Sequence, residues 1–193
     1  MTLHSKTILS IAMLCLSACS GISGNVDSKD PDERRVGALK LSSRTDAASI
    51  SKLVQLLDDK DALVRDAAVT ALATIGRKEL LQHFRAHLDD PSPLVRVGAC
   101  KAIGKIHNES GIPDLISALK GDKDPFVRIE ASNSLAMFKG NKDVVLSLID
   151  AVGDKEVVVS YNAHKLLVDI TGAKDVPRSK QKWDEWFDKN YKK

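Results

Sequence analysis

The chain has 193 residues and a formal charge of +3, with 43% hydrophobic and 28% charged residues and a pI of about 8.7. That length suits one domain of ordinary size, and the balance is that of a soluble globular chain. So small a charge does not by itself imply nucleic-acid binding, which more often goes with a concentrated basic face and a higher pI, and aromatics amount to only 4%.

Residues 1–18, MTLHSKTILSIAMLCLSA, read as a signal peptide. Lys6 stands before an apolar run over 7–16 that is too short to cross a bilayer. The segment LSAC, 16–19, resembles the lipobox of bacterial lipoproteins, which implies cleavage before Cys19 and acylation of its thiol and new amino group. Cys15 follows bulky Leu14 and fits that pattern less well. Two or three acyl chains hold a protein firmly on a membrane. Ser20 after the cysteine resembles the outer-membrane sorting signal, so the expected location is the cell envelope, facing the periplasm in a Gram-negative host. Cys100 then has no disulfide partner and reads as a small packed hydrophobe. Residues 19–30 carry the lipidated cysteine and a small, polar, flexible tether.

From 31 to 176 the chain repeats. A basic position recurs at Arg35, Arg65, Arg96 and Arg128, with Ser160 in the fifth copy, at intervals of 30, 31, 32 and 32 residues. Alanine follows three places later each time, at Ala38, Ala68, Ala99, Ala131 and Ala163. Six places before the basic position stand Asp59, Asp90, Asp122 and Asp154, with Lys29 in the first copy. Gly76, Asn108, Gly140 and Gly172 suit left-handed helix ends. Between the copies, apolar residues such as Ile112, Leu115, Ile116 and Leu119 recur at helical spacing, so each unit is two helices. One such hairpin leaves an apolar face uncovered, and stacking like on like covers it.

The pattern D-x-x-x-x-V-R-x-x-A-x-x-A-L-x-x-I-G, almost complete at 59–76 as DKDALVRDAAVTALATIG, resembles HEAT repeats of the phycobilisome-lyase type. The resemblance implies an all-α fold, an α-solenoid of about five two-helix repeats. Residues 177–193 place Trp183, Trp186, Phe187 and Tyr191 on one helix face and read as a capping helix over the last repeat. The same aromatic face could instead take a ligand or meet a membrane interface.

The columns Asp59, Asp90, Asp122, Asp154 and Arg65, Arg96, Arg128 recur in every unit, whereas a catalytic group is needed once. They are expected to form a structural ladder, and the resemblance implies that each Asp bonds backbone amides or Arg near the turn. Glu79, His83 and His87 have the spacing of a zinc site, but they lie beside Leu80 and Phe84 on an outer surface, so no metal is expected. Neither a G-x-S-x-G elbow nor a phosphate-binding loop is present. No catalysis, cofactor or small-molecule substrate is therefore expected. The alternative is a lyase-like or metal-dependent enzyme, although likeness in the repeat is likeness of scaffold.

Projection at 100° per residue sets three rows opposite the core of the Val-Arg helices. The first is Val36, Asp66, Val97, Ile129 and Tyr161. The second is Lys40, Thr70, Lys101, Asn133 and Lys165, and the third Ser43, Ala73, Gly104, Ala136 and Val168. In HEAT-like solenoids these helices line the concave side. The expected site is a partner-binding groove with Val97, Ile129 and Tyr161 as its apolar row and Lys101 and Lys165 drawing acidic groups of a protein or peptide. The alternative is a face that merely tolerates apolar residues. The expected function is a non-catalytic protein-interaction scaffold, held to the membrane through Cys19, with no nucleic-acid partner.

Overall fold

Aspartate and proline set where the helices begin. The computed structural model describes residues 24–191; the expected signal peptide and lipidated Cys19 lie outside the described residues. The helices are α1 (Pro31–Leu41), α2 (Ala47–Leu56), α3 (Ala62–Ile75), α4 (Leu81–Ala86), α5 (Pro93–Ile106), α6 (Ile112–Gly121), α7 (Pro125–Leu135), α8 (Lys142–Val152), α9 (Val157–Thr171) and α10 (Lys180–Tyr191). Asp30, Asp46, Asp61, Asp124 and Asn141 each accept a first-turn amide on a side-chain oxygen. Pro31, Pro93 and Pro125 begin their helices where no amide hydrogen is needed. Gly76 and Gly172 close α3 and α9 in the left-handed region. At the end of α5 that conformation falls on His107, at φ 52°, and not on Asn108, which caps the following turn by accepting the Ser110 amide at 3.0 Å. The His107 ring lies flat on Phe138, with centroids 4.7 Å apart.

The pairs α2–α3, α4–α5, α6–α7 and α8–α9 are helical hairpins, and α1 takes the place of a fifth second helix. The second helices α1, α3, α5, α7 and α9 touch along much of their length, the first helices α2, α4, α6 and α8 far less. The stack is therefore tighter on the second-helix side, which makes that layer the concave one. Small residues permit the close approach. Ala68, Ala99, Ala131 and Ala163 are fully buried, and a Cβ on Gly104 would come within 2.8 Å of the Ser134 Cβ. Between the layers lie Val64, Val95, Val127 and Val159, then Leu72, Ile103, Leu135 and Leu167, all without exposure.

The charged columns meet across the repeats. Arg65 reaches Asp90 through Nε and Nη2, both at 2.8 Å, Arg96 reaches Asp122 at 2.7 and 2.9 Å, and Arg128 reaches Asp154 at 2.8 and 2.9 Å. Each arginine turns Nη1 back onto its own repeat, as Arg96 does to the Asp90 carbonyl at 2.9 Å. Each aspartate also accepts the amide two residues on. The side chains are only 4–12% exposed. In the first copy the partner of Asp59 is Arg34, at 2.7 and 2.8 Å, and not Arg35. Arg35 lies outward near Asp32 at 3.7 Å. The first interval is therefore 31 residues, Gly37 holds the place of the recurring alanine, and the first members of the three concave rows become Arg35, Leu39 and Ser42.

Both ends of the stack are covered. Part of the segment expected as a free tether is seated on α1: a Cβ on Gly37 would meet the Val26 amide nitrogen at 2.8 Å, and Asp27 pairs with Lys52 at 2.6 Å. At the other end α10 packs against α8. Trp183 is fully buried and donates its indole N–H to His164 Nδ1 at 3.0 Å, while Phe187 stacks on Tyr191 at 4.7 Å. This is the cap that the aromatic spacing implies.

Asp122→Ala strands a buried Arg96 and costs about 3 kcal/mol in a denaturant melt; Arg34→Ala lowers the melting midpoint and Arg35→Ala leaves it in place. Arg34 chiefly holds Asp59 below the usual carboxylate range; at Asp90, Asp122 and Asp154 burial pushes upward and is outweighed by the arginine and amide hydrogen bonds. These depressed groups stabilise the fold above pH of about 4 and lose that contribution below it. Burial first, then Arg178, lowers the His164 pKa, so the neutral ring is without cost above pH of about 6.5, and stability falls as pH drops from there to the lowered folded value. Trp183 fluorescence is expected to shift red as acidification below pH of about 6.5 protonates His164, and His164→Phe abolishes that shift.

Candidate docking face on the second-helix layer

Three of the expected groove residues share the concave face, with unequal exposure. Tyr161 is 61% exposed, whereas Val97 and Ile129 are half-buried and pack on the core. The more exposed apolar row stands two places before the arginine column. It comprises Leu63 (46%), Leu94 (43%), Phe126 (70%) and Val158 (57%), with Val157 (68%) beside the last. Helical geometry brings that row and the Val97, Ile129, Tyr161 row together, because residues three apart share a face. The result is an apolar strip across α3, α5, α7 and α9. Sequence projection misses its outer half because it starts at the arginine. The signal is nevertheless present in the bulky residue before each Val-Arg pair: LVR, LVR, FVR and then VVS.

Polar groups border the strip. Asp66 of α3 is half-buried, and a Cβ on Gly98 of α5 would stand 3.1 Å from its Oδ1. Glu130 of α7 is half-buried and bonded to Asn133, whose Oδ1 accepts from Asn162 at 2.9 Å. Burial raises both carboxyl pKa values, and Lys101, exposed on α5 between them, counters the rise in each. Lys165 lies 3.1 Å from Asp169 of its own helix. Both lysines expected to draw acidic ligand groups thus already face carboxylates of their own layer.

Other candidate chemistry is satisfied internally. His87 places Nδ1 2.7 Å from the His83 carbonyl and Nε2 3.0 Å from the Leu57 carbonyl, which takes both ring nitrogens from any ion. Glu79, His83 and His87 form no metal-holding group among the described residues. Cys100 is fully buried, and burial pushes its thiol up to about 12, far from a reactive thiolate. A cleft of about 560 Å³ beside the ladder is lined by Arg85, Asp90, Arg96, Asp114 and Asp122, all of them in ion pairs.

A family model described as HEAT repeats matches residues 23–93 and 81–164. Over 99 residues the chain is 32% identical to the uncharacterized phycocyanin operon protein Z of Pseudanabaena tenuis, an alignment covering 47% of this chain and 49% of that protein. The chain thus spans about half the length of that curated relative. The complex of CpcE and CpcF of phycocyanin lyase from Nostoc sp. PCC7120 contains a similar chain, with TM-score 0.62 and 18% identity over 77% of this chain and 63% of that one. An engineered protein solved by a structural genomics consortium is similar at TM-score 0.52 and 19% identity, over 83% of this chain and 90% of its own. At those identities the structural likenesses establish the fold.

Asp66 and Glu130 carry a sign opposite to the ladder. A carboxyl whose folded pKa is raised destabilises the fold when charged, so stability from these two grows as pH falls from neutral toward the unfolded values near 4. The double variant Asp66→Asn, Glu130→Gln is therefore expected to melt above the wild type at pH 7.5, with an advantage that shrinks by pH 4.5.

Proposed function

The chain belongs to the HEAT-repeat family, and from that premise we propose that it is a non-catalytic adaptor that docks a partner protein along its concave layer. The observation that carries the reading is the apolar strip, with Phe126 of α7 and Val157, Val158 and Tyr161 of the adjacent α9 each more than half exposed. Monomeric proteins rarely leave apolar groups in so continuous a row unless something covers them. Aromatic and aliphatic groups so placed act as interface hot spots. The Nostoc relative of the same fold is one member of a two-protein complex, which supports a protein as the thing bound. Acylation at Cys19 would hold this adaptor in the cell envelope, on the outer membrane facing the periplasm in a Gram-negative host.

A lyase-like activity is the second reading, and the name of the Nostoc complex favours it. The ion pairing of Asp90, Asp114 and Asp122 and the deep burial of Cys100 leave few free groups for such chemistry.

Ile129→Asp would disturb packing as well as docking, so Phe126→Asp is the cleaner variant. Cross-linking in intact cells is expected to join a specific partner to the wild type, to lose it with Phe126→Asp, and to keep it with Leu146→Asp, which alters an exposed leucine of the outer helix α8. Cys19→Ala should release the protein from the membrane fraction. Retention of the cross-link in Phe126→Asp would remove the strip as the docking site.

A further inference from the structure

The concave face carries an unbalanced charge at its centre. Asp66 and Glu130 lie on α3 and α7 with Lys101 between them on α5, and among the described residues neither carboxylate makes an ion pair. One ammonium faces two carboxylates, while Arg35 lies near Asp32 and Lys165 near Asp169, which leaves a net negative charge at this point beside the apolar strip. Any partner that covers the strip strips water from these half-buried carboxylates, which is costly unless the partner brings donors of its own. The least costly remedy is a cation that forms charge-assisted hydrogen bonds.

We propose that the occupant of this face is an amphipathic helix of a partner protein that presents one basic side chain to Asp66 and another to Glu130; the proposal rests on the docking reading above. Its dimensions follow from helix geometry. The face runs from the Leu94–Phe126 row to the Lys101–Asn133 row, seven residues and thus about 10 Å along each helix, which is the diameter of one helix with its side chains. Neighbouring helices lie about 8–10 Å apart, so α3 and α7 are about 18 Å apart. At 1.5 Å per residue the two basic side chains stand about eleven or twelve residues apart, three turns and again on one face. The apolar side of the helix then lies over Leu94, Val97, Phe126 and Ile129 and ends on Tyr161. This charge is opposite to the one that Lys101 and Lys165 suggest from sequence.

Two synthetic helical peptides of about twenty residues test the proposal, each with a leucine face bordered by two charged residues about eleven apart. The charges are lysines in one peptide and glutamates in the other. Fluorescence anisotropy with the full chain at low salt should show the lysine peptide binding about tenfold tighter. The double variant Asp66→Asn, Glu130→Gln should erase that preference. It removes half-buried charge and so keeps the fold, which a melt verifies. Equal binding of the two peptides, or tighter binding of the glutamate peptide, overturns the basic-helix proposal and leaves the docking face standing. If neither peptide binds, both readings fall.

Discussion

The bidentate arginine–aspartate pair between consecutive repeats is the interaction on which the rest of the molecule depends. Arg34, Arg65, Arg96 and Arg128 each hold the aspartate of the next repeat with two nitrogens and their own turn with a third. The aspartate in turn orders its own loop by accepting an amide. A one-residue slip between repeats would leave a guanidinium and a carboxylate buried apart, at a cost of several kcal/mol. Apolar stacking alone tolerates such slips, because one alanine or valine packs much like another. The pairs therefore supply register, and the valines and leucines between the layers supply most of the stabilisation.

Register is what creates a surface. With every second helix held in phase, the residue two before each arginine emerges at the same height, and four separate side chains become one strip. Small residues act in the same direction. Gly104 lets α5 and α7 approach closely, the second-helix layer becomes the shorter side, and the strip falls on a concave face. The bordering charges differ from the ladder in kind. Among the described residues Asp66 and Glu130 are half-buried without an ion-pair partner, whereas the ladder aspartates are each matched.

Much of the fold was legible in the sequence because a repeat writes the same signal several times. The Val-Arg pair, the aspartate six before it and the alanine three after it locate the helices and predict the solenoid. Errors arose where local chemistry offered two equivalent choices. Arg34 and Arg35 are both arginine, and only the need to face Asp59 distinguishes them. His107, not Asn108, took the left-handed turn because its ring finds Phe138 there. The apolar strip was half legible. Its Val97, Ile129, Tyr161 row came from projection, but the degree of exposure depends on how neighbouring helices crowd one another. The carboxylates that face Lys101 escape projection for a related reason: Asp66 and Glu130 stand 35 and 29 residues away in the chain.

The pairing also has a mechanical result. It repeats along a single edge of the stack, where each hairpin turns from first helix to second. Along the other edge the contacts change from one repeat to the next, with Arg77 on the Thr45 carbonyl at one level and His107 on Phe138 at another. A body stapled along one margin bends like a bound book, with the spine fixed and the pages fanning at the opposite side. Curvature can thus change slightly without any staple breaking.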